Sequence, residues 1–157
     1  MDFFTGDERT LLGGLLDVQR GQVAALLDGL SEEEARARLV PSLTTVAGLV
    51  KHAIFVEKVW FHSRVAGVPR AEVGLPDSID ESFVLAPDDT VASLREGFLT
   101  ACARSRDIAA QHELDEVFAW HEEPVSLRFV YGHMIAELAR HAGHGDILVE
   151  QLRARRA

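Results

Sequence analysis

A single cysteine, Cys102, stands in a chain of 157 residues, which excludes both an internal disulfide and a cysteine-built zinc site. Its expected role is packing. Basic charge is also scarce. With 16 Lys and Arg against 25 Asp and Glu the net charge is -9, and no basic stripe exists to release counterions from phosphates, so nucleic acid is not an expected partner. The Arg153-Ala154-Arg155-Arg156 stretch is too short to act as such a stripe and reads as a frayed, solvated helix end. No apolar run approaches the roughly 20 residues needed to cross a bilayer, so no membrane partner is expected. The opening segment MDFFTGDERT lacks the basic region and apolar core of a secretory signal, and the expected location is cytoplasmic. Repeats and low-complexity tracts are absent, and no segment sustains the period-two alternation of a half-buried strand.

What is present is apolar residue in ordinary proportion, 47%, enough in a chain of this length for one domain with its own core. The apolar positions recur at helical spacing. A first helix is expected from about Asp7 to Asp28, with Asp7 as N-cap, an apolar face of Leu11, Leu12, Leu15, Val18, Leu26 and Leu27, and Gly29 as terminator. Ser31 to Glu34 has the form of a capping box, which predicts a short helical turn stopped by Val40-Pro41-Ser42. A second long helix should begin after Thr44 or Thr45 and reach about Ala66 before Gly67-Val68-Pro69. Centred on His52, its core face carries Gly48, Leu49, Phe55, Val56 and Val59, with Lys51, Glu57 and Lys58 pointing away and Gly48 leaving room beside the imidazole.

Residues 67 to 88 hold Pro69, Gly74, Pro76 and Pro87 with little periodicity, so they read as a long connection: a crossover, or a flap over a site. A third long helix should start at Asp88 or Asp89, run through Val91, Leu94, Phe98, Leu99, Cys102 and Ile108, and fade near His112. Residues 113 to 125 return the chain through Trp120, His121 and Pro124. Ser126 then caps a last helix reaching about Arg153. Four long helices with a long connection between the second and third make an all-α, four-helix bundle, a fold that gathers metal ligands from facing helices.

The last helix carries the chemistry. At about 100° per residue, Val130, Met134, Glu137, His141, His144 and Leu148 fall on one stripe, flanked by His133 and Leu138. A lone inward histidine is more often hydrogen-bonded core than ligand. Here Glu137, His141 and His144 share a face with His52 opposite, and burying them unpaired would cost several kcal/mol. A shared divalent cation is the simplest remedy, and imidazole with carboxylate suits zinc or nickel, with iron or manganese as alternatives. Glu137 and His144 lie about 10 Å apart along the axis, too far to reach one ion easily, whereas His141 is within about one turn of either. Two sets follow: His52 with Glu137 and His141, or His52 with His141 and His144. Three-apart histidines on a buried stripe tip the balance slightly to the second. His62, His112 and His121 lie nearer helix ends or loops, and Trp60 and Phe61 are expected to pack. HMIAE at 133 to 137 is not the HExxH pattern of zinc peptidases.

The segments Glu8-Arg9-Thr10-Leu11-Leu12, Gly29-Leu30-Ser31-Glu32-Glu33, GLVKH ending at His52 with Val56-Glu57-Lys58-Val59-Trp60-Phe61, and ELARHAGH from Glu137 to His144 resemble the DinB-like (YfiT-like) metalloenzyme superfamily, in its actinobacterial mini-circle-type branch. The resemblance covers nearly the whole chain. It implies an up-down-down-up four-helix bundle with a divalent metal held by one residue of the second long helix and two of the last. His52 matches the family's histidine on the second helix. Many relatives carry two last-helix ligands four apart, which Glu137 and His141 match; aligning on His144 puts Arg140 in the partner position.

Relatives of this kind use small thiols such as mycothiol. The expected function is therefore a divalent-metal-dependent thiol S-transferase acting on small electrophiles, with a small-molecule thiol and an electrophile as partners. A metal-dependent hydrolase follows from the same Lewis-acid logic. The non-enzymatic alternative is a stress-associated metal- or ligand-binding bundle, dimeric through an apolar helix face.

Overall fold

A computed structural model describes residues 3–156. It is mostly helical, with one two-stranded antiparallel sheet. Helix α1 spans Glu8–Ala25, and Asp7 caps it by accepting a hydrogen bond from the Thr10 N–H at 2.8 Å. Gly29, at φ 70°, sits in the left-handed region that lets the chain turn after it. The short α2, Glu32–Arg36, carries the expected reciprocal capping box between Ser31 and Glu34.

The next helix begins as α3, Val46–Glu57, and continues without a break as a π-helix over Lys58–Val65. In that second half the hydrogen bonds skip one residue more, as the Ala66 N–H to Phe61 carbonyl bond of 3.0 Å shows. The long connection holds one turn of helix, α4 (Arg70–Val73), and a 3-10 turn at Asp80–Phe83. Helix α5, Val91–Ala109, starts from a Thr90–Ser93 capping box. Strands β1 (Val117–Trp120) and β2 (Glu123–Ser126) then form a hairpin with Val117 opposite Ser126 and Trp120 opposite Glu123. Ser126 caps α6, Leu127–Ala154, through the Phe129 N–H at 3.1 Å.

Helix α1 packs on α6 and α3 on α5, and α3 also meets α6 and the 3-10 turn, so α3 is enclosed on most sides. Leu16, Val23, Leu27, Leu49, Phe61, Phe98, Met134 and Leu138 form the inner core. Among the described residues no helix is long and apolar enough to cross a membrane.

Several expectations are corrected. On α1 the buried residues are Leu16, Arg20, Val23 and Ala24, whereas Leu11 and Val18 are exposed; an arginine takes a core position because a carboxylate waits there. That carboxylate is Glu57, expected to point outward and in fact fully buried, gripping Arg20 through Nε–Oε1 at 2.8 Å and Nη2–Oε2 at 2.7 Å. Because α3 is surrounded, it has no solvent face there on which Glu57 could lie. Leu99, expected in the core, is exposed on α5. The hairpin was not expected, its four-residue strands being too short to show an alternation. The stretch from Arg153 to Arg156 is exposed as expected, but its last arginine is held in place. Arg156 holds Glu34 at 2.5 to 2.6 Å and the Gly29 carbonyl at 2.9 Å.

Candidate metal centre

The phase of α6 decides which of its polar residues face inward. Its buried face takes in Val130, Met134 and Leu148 of the stripe read off the sequence, but it is centred further round, on Leu127, Tyr131, Leu138, Gly145, Val149 and Leu152, with Ala142 also buried. Gly145 fixes that phase, since a Cβ there would sit 2.3 Å from Leu26 Cδ1 of the segment after α1. Glu137 and His141 therefore lie on the stripe's flank facing α3, half-buried. His144 is exposed, with its ring centroid 5.7 Å from that of His141.

One His52 nitrogen, one His141 nitrogen and a Glu137 oxygen lie within 4.8 Å of one another. Glu137 Oε1 is 3.0 Å from His141 Nε2 and 3.3 Å from His52 Nε2. Ligands about 2.05 Å from a tetrahedral ion stand about 3.4 Å apart, so two of these separations already approach those of a metal's donor set. Contact with the imidazoles of His141 and then of His52 holds the Glu137 carboxyl below the usual carboxylate range, against the effect of burial.

The long connection completes the centre. His52 Nδ1 is 2.7 Å from Ser82 Oγ, and the Ser82 hydroxyl donates to the Ile79 carbonyl. With its own proton committed, Ser82 accepts from Nδ1–H, which leaves the Nε2 lone pair of neutral His52 facing a carboxylate oxygen. Two lone pairs so placed repel unless a cation lies between them, and a proton or a divalent ion is such a cation. His141 Nδ1 is buried with no hydrogen-bond partner among the described residues, so this ring too is incompletely satisfied by protein. The donor set thus fits a divalent metal.

Phe83 stacks on His52 with ring centroids 4.1 Å apart and planes 10° from parallel. Gly48 does not leave the expected space. A Cβ there would meet Thr45 Oγ1 at 2.9 Å and the Phe83 carbonyl at 3.0 Å, so the glycine admits the connection's backbone rather than a ligand. The long connection, expected as a crossover or a flap, is therefore a structural part of the site.

The triad opens into a cleft of about 590 Å³. Phe55 of α3, Val59 and Trp60 of its π-helical continuation and Trp120 of the hairpin give it apolar walls, and Arg64, Arg140 and His133 give it polar ones. The Trp60 ring centroid is 4.3 Å from that of His133 and 5.5 Å from that of Trp120. His121 lines the cleft from the hairpin turn at φ 50°, a left-handed conformation that costs a residue other than glycine of order 1 kcal/mol. Burial pulls the His133 pKa down; Glu137 opposes this, and Arg64 and Arg140 add to it.

A family model described as mycothiol-S-transferase matches residues 11–154, nearly the whole chain. The chain belongs to the mycothiol S-transferase family. No curated protein matches it. As a mycothiol S-transferase family member with a convergent His52, Glu137 and His141, it has the donors for a divalent ion, and the DinB-like resemblance read from GLVKH and ELARHAGH agrees with the family match.

The remaining histidines are accounted for elsewhere. His62 Nε2 lies 3.1 Å from the Ala101 carbonyl and 3.2 Å from Ser105 Oγ, and His112 pairs with Glu116 at 2.9 Å. Phe61 is core, whereas Trp60 both packs and lines the cleft. Ser82, Phe83 and Arg64 escaped the sequence reading, and Trp120 and Arg140 were named there without a place in the cleft. Serine in a turn-rich connection is the commonest of loop residues, and an arginine on a helix is normally solvated.

Proposed function

We propose that the protein is a divalent-metal-dependent mycothiol S-transferase that joins the sulfur of a small-molecule thiol to a small electrophile. The observation that carries this reading is the convergence of His52 Nε2 and His141 Nε2 on one Glu137 oxygen at the wall of an open cleft. It is supported by the family match and by the buried His141 Nδ1, which has no hydrogen-bond partner among the described residues. We read His52, Glu137 and His141 as the ligands, with His144 outside the set. Their nitrogen and oxygen donors suit zinc or nickel, with iron or manganese also accommodated. The packing of α1 on α6 and of α3 on α5 supports reading the chain as one up-down-down-up four-helix domain.

A divalent ion in the triad supplies Lewis-acid stabilisation of a thiolate at neutral pH, the form of a thiol that acts as nucleophile. The chain's residues prepare the rest. Ser82 sets the His52 tautomer and keeps Nε2 turned to the centre, and Phe83 covers one face of that imidazole. Phe55, Val59 and Trp60 exclude water from one side of the cleft. His133, kept neutral by burial, can accept the proton released by the thiol. In the transfer a carbon–sulfur bond forms, the carbon–leaving-group bond breaks, and the leaving group departs with its electron pair.

The test is mycothiol with monochlorobimane, whose chloride is displaced to give a fluorescent thioether. Metal-loaded protein should accelerate the reaction and stripped protein should not. Absence of turnover with zinc, nickel, iron or manganese, in protein that binds the ion, would overturn S-transfer and favour the non-catalytic metal-binding role.

A further inference from the structure

Arg64 is placed for a task that the triad does not perform. Its guanidinium carbon lies 4.1 Å from the Trp60 ring centroid and 5.8 Å from that of Trp120, and its Nη1 is buried without a hydrogen-bond partner among the described residues. Burial, and after it the neighbouring Arg70, pull its pKa below the ordinary arginine value, yet arginine stays charged at any working pH. The chain has an excess of carboxylates, and it uses them elsewhere: Arg9, Arg20, Arg95, Arg106, Arg128 and Arg156 all pair with Asp or Glu. Of the three arginines that line the cleft, Arg70 and Arg140 are exposed and Arg64 is half-buried; none forms an ion pair among the described residues, although Glu137 and Asp77 line the same cleft. A desolvated, unpaired cation costs free energy, and a surface rich in acids had ready means to neutralise it.

We infer that Arg64, in a cleft that Arg140 also lines, forms a carboxylate subsite through which the protein selects an electrophile bearing a carboxylate. The identification as an electrophile rests on the S-transferase reading; the subsite itself does not. A guanidinium held over a tryptophan keeps its in-plane N–H edge free, and that edge matches a carboxylate in two parallel hydrogen bonds. Trp60 and Trp120 add an apolar surface for the body of such a molecule, and the Trp60–His133 contact places this subsite about one helical turn, roughly 6 Å along α6, from Glu137. A planar, short molecule with its carboxylate on Arg64 therefore presents its far end toward the triad.

The test uses a chloronitrobenzoate with chlorine ortho to the nitro group and the matching neutral carboxamide. Trp60 and Trp120 are the chain's two tryptophans, so quenching of intrinsic fluorescence by either nitroaromatic reports on this cleft. Binding is measured with metal-loaded protein and with metal-stripped protein, the second arm removing ligation of the carboxylate by the ion. The carboxylate should bind roughly 10-fold tighter than the amide in both arms, the worth of one charge-assisted pair. In Arg64→Gln that ratio should fall to about 1, with amide binding little changed. If Arg64→Gln fails to fold by circular dichroism, Arg64→Lys, which keeps the charge and loses the fork, should still lose most of the preference.

Equal binding of the two probes by the native protein, or an undiminished preference in both variants, overturns the subsite. Turnover with mycothiol, by displacement of chloride, separates the two readings. Turnover of monochlorobimane without carboxylate preference leaves S-transfer standing and removes the subsite. Carboxylate preference without turnover of any probe keeps the subsite and removes S-transfer.

Discussion

At the scale of single residues, the metal centre turns on lone pairs. Ser82 donates its proton to the Ile79 carbonyl and so accepts from His52 Nδ1, which turns a lone pair toward Glu137. Ser82→Ala should therefore lower metal affinity by roughly 10-fold to 100-fold, read by competition with a chelating dye, while leaving the ligands in place. His52→Ala, Glu137→Gln and His141→Ala should each cost more than Ser82→Ala, and His144→Ala should cost little because that ring is exposed outside the triad. A strong loss in His144→Ala with none in Glu137→Gln would restore the other ligand set. The sequence made His52, Glu137 and His141 visible, since each is polar at helical spacing among apolar neighbours. It misjudged the phase of α6 because the 3.6-residue period alone does not say which of two adjacent stripes is the centre. Contact between Gly145 and Leu26 settles that, and such contact is tertiary information.

At the scale of elements, α3 and its π continuation tie the core to the cleft. Glu57, the last α-helical residue, anchors the helix to Arg20 of α1, and Trp60 and Arg64 in the π segment line the cleft. Burial works against the Arg20 charge, yet the hydrogen bonds and charge of Glu57 raise its pKa above the ordinary value. Glu57→Ala leaves that buried cation only the Asp17 carboxylate, 3.0 Å away, and should lower stability by about 3 kcal/mol in denaturant unfolding. Arg20→Met combined with Glu57→Leu should recover much of the loss, because the pair is replaced by packing rather than broken. If Glu57→Ala unfolded no more readily than the native protein, the pair would not be the anchor described. Element starts were readable because Asp7, Ser31 and Ser126 are side-chain caps with a local cause. The π segment and the hairpin were not, for a change of hydrogen-bond register or a four-residue strand leaves too little periodicity to read.

At the scale of the whole molecule, residues far apart in the chain close on one another. Arg156 after α6 reaches back to Glu34 and Gly29, and hydrogen bonds from Arg156, then from the Ser31 N–H, pull the Glu34 carboxyl down to about 2. A depressed carboxylate contributes stability above its ordinary value of 4.5 that is lost as the pH falls through about 2. Glu34→Gln should therefore melt earlier than the native protein at neutral pH, and the gap should narrow as the pH falls through that window. A gap that widened toward acid would contradict the sign. The same closure brings α3, α6 and the connection around one centre, and the most direct test of that centre is elemental analysis of the native protein after stripping and reloading. The account predicts about one divalent ion regained per chain, and none in His52→Ala combined with His141→Ala. Native protein that regains no ion, or a double variant that still binds one tightly, would contradict it.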